Sequence, residues 1–348
     1  DHVPGLRKNG NDTEKLGWSR PQRFVSLSNE GVPTRRIPAD APDICPTGHH
    51  TESIKIMDKP TNGTGNVLPP QPTFPERNAL DGVLYDYLRR ADRMGWSPYD
   101  LVDHEQMQSL SRADRLSEVQ VAAVKTVLFV EDHLPGYLSE YLRIMTDPGM
   151  PDDQQIVSRN VLHFTCRWVG EEDRHAHVLE MYLTRTGLMK PKELEVEMLR
   201  ERQTAYMFPY DHNNQMIEGF IYLALQEKAT HFYYRALARD VEEPLLRTIL
   251  TRMAADEASH GMFFYNLLIE SFRGDLDALG RKISVVANDF KMPVQNNLLN
   301  YRRQLLGMMR AAPSYRHPDV FADMMRAVDR AGQRHSRDSV ELIAPDIG

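Results

Sequence analysis

The sequence predicts an all-α fold: a bundle of long helices with additional helices behind it and an extended Pro-rich N-terminal arm in front. Three observations carry this expectation. From about residue 77 onward apolar side chains recur at three-and-four spacing, the stripe of a helix lying on a core. No stretch shows the strict alternation of a half-buried strand. Finally, 11 of the 22 prolines fall within residues 1–76, too closely set for several helical turns, because proline lacks the amide donor and clashes with the preceding turn.

The arm, 1–76, is read as extended; it could wrap the body, pair with another subunit or remain a plain tail. Its Asn62-Gly63-Thr64 reads as a turn rather than a glycosylation acceptor. The main domain, 77–300, opens with a helix over Ala79 to Arg93, where Leu80, Val83, Leu84, Tyr87 and Leu88 form one stripe, and Trp96-Ser97-Pro98-Tyr99-Asp100 ends it. Further helices are expected at about 114–146, 152–186 closed by Gly187, 191–206, 213–240 and 242–271. The last has Pro244 in its first turn, where an amide would have no helical partner anyway. Residues 301–348 read as a helical extension packed on the same domain, with Val320, Phe321, Met324, Met325 and Val328 on one face.

A chain of 348 residues can still close around one deep core. Its net charge of −7 argues against nucleic acid as a partner, since polyanion binding needs excess Lys and Arg to displace counterions. Two cysteines, Cys45 and Cys166, offer neither a disulfide framework nor a thiolate zinc site, which fits a reducing cytoplasm. No apolar run approaches the ~20 residues that cross a bilayer, so membrane insertion is not expected.

Two of the helices carry a carboxylate three residues before a histidine: Glu172-Asp173-Arg174-His175 and Glu257-Ala258-Ser259-His260. Positions i and i+3 share a face, so each pair can grip one metal from one side. A single Glu-x-x-His is a frequent accident on exposed helices; two inside apolar helices are a much rarer one. A ferritin-like carboxylate site also needs one inward Glu from each of two other helices. Glu131, after Thr126-Val-Leu-Phe-Val, and Glu227, after Gly219-Phe-Ile-Tyr-Leu-Ala-Leu-Gln, supply them in order. Either Glu alone reads more simply as a buried acid satisfied by Arg or a proton; the order Glu, Glu-x-x-His, Glu, Glu-x-x-His favours metal.

The donors select the metal. Four carboxylates and two imidazoles without thiolate suit iron or manganese better than structural zinc, and four negative charges match two divalent ions. So few ligands per metal leave positions open for O2. The expectation is a ferritin-like diiron helical bundle. Pro135, inside the expected 114–146 helix, frees the carbonyl of Glu131 and should kink the backbone beside that ligand.

These residues resemble the soluble acyl-carrier-protein desaturases over roughly 77–300. The family's W-x-P-x-D is present at Trp96, Pro98 and Asp100, its E-x-x-L-P at Glu131, Leu134 and Pro135, and its W-x-x-E-E-x-R-H at Trp168, Glu171, Glu172, Arg174 and His175. G-F-I-Y-x-x-x-Q-E-x-A-T is complete from Gly219 to Thr230, A-D-E-x-x-H from Ala255 to His260, and a weaker K-M-P follows at Lys291 to Pro293.

The resemblance implies two Fe ions, with Glu131 and Glu227 each binding one terminally, Glu172 and Glu257 bridging, and His175 and His260 completing the two positions. It implies that Asp256 orients ligand histidines and that Thr230 sets a hydroxyl beside the O2 pocket; the plainer role for Thr230 is a bond to the carbonyl four residues back. Trp96 and Trp168 match positions proposed for electron entry and read equally well as core. The implied activity uses O2 and two electrons from a ferredoxin-like donor to introduce a double bond into an acyl chain on acyl carrier protein. The implied setting is a homodimer in the cytoplasm, or in the plastid stroma of a plant.

The same centre can serve a diiron oxygenase of a specialised pathway, hydroxylating or oxidising nitrogen in a carrier-bound or free substrate, because the outcome depends on which bond lies near the oxidant. Iron storage is disfavoured by length and by the desaturase segments. Among the departures, His133 and His177 are turned from the ligand face by helical geometry, and His231, four residues after Glu227, is the better candidate for an extra ligand. Arg89 and Arg93 could meet an acidic carrier, though a solvated face is the simpler reading.

Overall fold

The computed structural model describes residues 77–102, 112–202 and 216–343; the expected arm lies outside them. Eleven α-helices occur among the described residues, and no strand. They are α1 (Arg77–Met94), α2 (Pro98–Leu101), α3 (Glu118–Glu131), α4 (Leu134–Met145), α5 (Asp152–Arg185), α6 (Pro191–Glu201), α7 (Met216–Asp240), α8 (Pro244–Ser271), α9 (Leu276–Asn288), α10 (Tyr301–Ala311) and α11 (His317–Ile343). All belong to one compact unit, Val67–Gly348.

Local chemistry sets most boundaries. Ser117 opens α3 with a capping box: its hydroxyl accepts from the Gln120 amide, and the Gln120 side chain accepts from the Ser117 amide. Glu243 caps α8 by accepting from the Leu246 amide, and Pro244 follows at the first helical position. Gly187 ends α5 as expected. Its φ of +74° places it in the left-handed region that favours glycine, while the Met189 amide bonds back to the Leu183 carbonyl at 2.9 Å.

The expected 114–146 helix is not one helix. Pro135 interrupts it outright: α3 stops at Glu131, the chain turns through Asp132 and His133, and α4 starts at Leu134. Proline cannot supply the amide that the Glu131 carbonyl needs, and its ring displaces that carbonyl. The Asp132 amide still reaches Leu128 (2.9 Å), and the Tyr137 hydroxyl reaches the Val130 carbonyl (3.1 Å). Asp132 itself pairs with Arg202, just past the end of α6.

Four helices, α3, α5, α7 and α8, form the centre of the bundle. Their inner faces are nearly all apolar, with Val124, Leu128, Leu179, Ile221, Leu237, Ile249 and Met253 among the fully buried side chains. α7 and α8 share the most extensive contact, α1 lies across α5 and α8, α10 lies on α3, and α11 packs on α7 and α9. No described helix is long and apolar enough to cross a membrane.

Candidate metal centre

The four central helices each turn an acid inward at the same level: Glu131 from α3, Glu172 from α5, Glu227 from α7 and Glu257 from α8. His175 and His260 sit one turn beyond Glu172 and Glu257, and both imidazoles are fully buried. The six side chains form two overlapping sets: Glu131, Glu172, His175 and Glu257; and Glu172, Glu227, Glu257 and His260. Within each set one donor atom per residue lies within 4.8 Å of the others, and Glu172 and Glu257 belong to both.

The imidazoles show which way the site faces. His175 Nε2 lies 3.0 Å from Asp256 Oδ2, and His260 Nε2 lies 2.9 Å from Glu171 Oε2. With those nitrogens carrying the protons, each Nδ1 presents a lone pair to the carboxylates. His175 Nδ1 is 3.4 Å from Glu257 and 3.6 Å from Glu172; His260 Nδ1 is 2.9 Å from Glu172 and 3.4 Å from Glu227. None of these contacts has hydrogen-bond geometry, so both Nδ1 atoms are buried without a partner, as is Glu172 Oε1. Orphaned polar atoms at the focus of four acids are costly in a protein interior unless a cation joins them. The donor set therefore fits two divalent ions.

Proton affinities point the same way. Burial, reinforced by the Glu172 charge, pushes the Glu131 carboxyl up to about 8. Burial and then the Glu257 charge push Glu227 well above the carboxylate range. Burial would also raise Glu172 and Glu257, but the two imidazoles outweigh it and hold both low. Burial would lower the imidazoles, but their acidic partners hold both well above the usual histidine range. Without a metal, protons supply the missing positive charge.

Behind the ligands stands a layer of crossed supports. Asp256 precedes Glu257 on α8 yet holds His175 of α5; Glu171 precedes Glu172 on α5 yet holds His260 of α8. Arg174 and the Trp96 indole N–H donate to Asp256 at 2.8 and 2.9 Å. The Tyr87 hydroxyl and Arg167 donate to Glu171 at 2.7 and 3.1 Å. Burial alone would raise the Glu171 carboxyl, but His260, Tyr87 and Arg174 outweigh it and keep it at about 2. Asp256 was expected to orient ligand histidines; the partner role of Glu171 was not. Its signal was nonetheless visible, because each Glu-x-x-His is preceded by an acid.

The remaining candidates take distinct places. The Thr230 hydroxyl lies 3.2 Å from the carbonyl four residues back, the plainer role expected of it, and also 3.2 Å from Glu257 Oε2. His231 is turned away, with Nδ1 2.6 Å from the Ala254 carbonyl, and belongs to neither set. His133 is buried against the Phe129 carbonyl at 2.6 Å, and His177 meets the Tyr99 ring edge-on. Trp96 is half-buried and stacks on His175 with centroids 6.2 Å apart, beneath the Arg174 guanidinium. Trp168 lies in the core beside Tyr141 and Phe164 and meets His260 edge-on at 6.5 Å. Arg89 and Arg93 are exposed.

A cavity of about 650 Å³, counted out to its mouth, runs beside the cluster between α3, α7 and α10. Val127, Val130, Thr230, Tyr234, Leu298 and Met308 are among its walls, which are overwhelmingly apolar. Thr230 and Tyr234 touch both the cavity and the acids, the latter by donating its hydroxyl to Glu131.

The chain is similar to known proteins. DesA1 of Mycobacterium tuberculosis, by name an acyl-[acyl-carrier-protein] desaturase, is 25% identical over 230 residues, covering 62% of this chain and 65% of the relative. Stearoyl-[acyl-carrier-protein] 9-desaturase 1 of Arabidopsis thaliana is 27% identical over 224 residues, covering 59% of this chain and 55% of the relative. The chain thus spans less than two thirds of the length of either. The crystal structure of the acyl-ACP desaturase DesA2 from Mycobacterium tuberculosis H37Rv superposes with a TM-score of 0.51 at 21% identity, covering 75% of this chain and 98% of that one, and shows that the ferritin-like fold is shared. The sequence profile of the family described as Fatty acid desaturase matches residues 84–347, most of the chain, and with its acyl-carrier-protein-type relatives this establishes that the chain belongs to that family.

Proposed function

We propose that the protein is a diiron acyl-ACP desaturase, which uses O2 and two electrons from a ferredoxin-type donor to place a double bond in a carrier-bound acyl chain, as a homodimer. The observation that carries this reading is the pair of overlapping ligand sets, with two unpartnered imidazole nitrogens, set against an apolar cavity. The balance is R–CH2–CH2–R′ plus O2, two electrons and two protons, giving R–CH=CH–R′ and two waters.

Glu131 and Glu227 would hold one iron each, Glu172 and Glu257 would bridge, and His175 and His260 would complete the two positions. Bound iron supplies the O2 reduction and hydrogen abstraction that no side chain can perform. The protein's own residues do the rest. Asp256 and Glu171 fix the imidazole tautomers by accepting from Nε2. The cavity's overwhelmingly apolar walls suit an acyl chain and would set which methylenes face the centre. The Thr230 hydroxyl stands between cavity and Glu257, placed to pass a proton. Trp96, bonded to Asp256 and stacked on His175, offers a route from the half-exposed surface for the incoming electrons.

The test is turnover with iron, a ferredoxin and reductase, O2 and a panel of saturated acyl-ACPs, read by product mass. Loss of two hydrogens is expected; a gain of one oxygen with no such loss would replace desaturation by hydroxylation. Metal loading itself should be pH-dependent. Without metal, Glu131 is pushed up to about 8 and Glu227, His175 and His260 well above their usual ranges, so Fe(II) uptake at pH 7 must displace protons and affinity should rise with pH through about 8. Anaerobic calorimetry in buffers of different ionisation enthalpy measures the released protons; proton-neutral uptake at pH 7 would contradict the proposed ligand set.

A further inference from the structure

The two metal positions differ in a way their ligand types do not reveal. Each has one terminal carboxylate, Glu131 in the His175 set and Glu227 in the His260 set. Glu131 is held from outside: the buried Tyr234 donates its hydroxyl to Oε1, leaving Oε2 as the oxygen that faces His175 Nδ1, at 3.8 Å. Glu227 has no such brace among the described residues. Among the described residues its carboxylate meets only members of the cluster, His260 Nδ1 at 3.4 Å and Glu257.

We infer that Tyr234 is a positioning residue that makes the two positions inequivalent, so that the Glu131–His175 position takes its metal first and more tightly while the Glu227–His260 position holds the exchangeable one. The inference rests on the two-metal reading of the site. A carboxylate whose second oxygen is already occupied by a fixed donor has one productive orientation, and it loses less freedom when the metal arrives. Glu227 is buried against His260 and Glu257, which are themselves ligands, so its orientation is set only together with theirs when the metal arrives. Outer partners of this kind change metal affinity by roughly 10–100-fold. Tyr234 is itself fixed, since its ring is packed in the cavity wall and lies two turns beyond Glu227 on the rigid α7.

Anaerobic titration with Co(II), followed by calorimetry and visible absorption, tests the inference without turnover. The wild-type protein should show two steps whose dissociation constants differ by at least about tenfold. Tyr234→Phe should weaken the tighter step by about tenfold, leave the weaker one unchanged and so merge the two. Tyr233→Phe is the neighbouring control: its hydroxyl bonds the Met308 carbonyl at 3.1 Å, in the same cavity wall, and its loss should alter neither step. His260→Ala should keep only the tight step, still sensitive to Tyr234→Phe. Two indistinguishable wild-type steps, equal weakening of both by Tyr234→Phe, or a tight step that disappears with His260 would each overturn the inference while leaving the two-metal site standing. No uptake at all would instead overturn the metal reading on which it rests.

Discussion

Glu257→Ala is expected to take the protein from two bound metals to none and to abolish turnover. Glu257 belongs to both ligand sets, so its loss removes a carboxylate from each metal at once and leaves three acids to balance two dications. Glu227→Ala makes the contrast: Glu227 belongs to one set only, and that variant should retain one metal, in the Glu131–His175 position. Iron per chain after anaerobic loading and gel filtration distinguishes the two results. Full two-iron stoichiometry in Glu257→Ala would refute its bridging role.

The crossed supports give the second large effect, and its direction is counter-intuitive. Glu171→Gln should weaken the metal bound by His260, on the other helix, by roughly 10–100-fold, while sparing the one bound by His175 of its own helix. Asp256→Asn should do the reverse. In each case an amide can still accept from the imidazole Nε2, but the charge that raises the basicity of the metal-facing Nδ1 is gone. Resolved Co(II) spectra of the two positions report which metal is lost. Loss from the helix that carries the substitution would refute the crossed arrangement.

Much of this was legible in sequence because helical spacing is rigid. Glu172 with His175 and Glu257 with His260 must share faces, and the apolar runs before Glu131 and Glu227 place those acids in the interior. The outer layer was harder. Glu171 sits one residue before Glu172 and points to a histidine 89 positions away; which face of α8 meets it depends on how the helices pack. Tyr234 stands two turns after Glu227 and so was bound to face inward, but its partner Glu131 lies on α3, 103 positions distant. The interruption at Pro135 was expected as a kink. Whether a helix bends or stops depends on what receives the freed groups, and here the turn at Asp132 is secured by Arg202, a contact between segments that no local pattern encodes.

The crossing of acids between α5 and α8 also governs the order in which the molecule can be assembled. Once synthesis has passed α5 the chain already contains Glu131, Glu172 and His175, but nothing yet aims that imidazole, because Asp256 has not been made. When α8 emerges, His260 in turn depends on an acid from the earlier helix. On the two-metal reading, neither imidazole is aimed before the two helices have docked, so metal binding should wait on completion of the bundle.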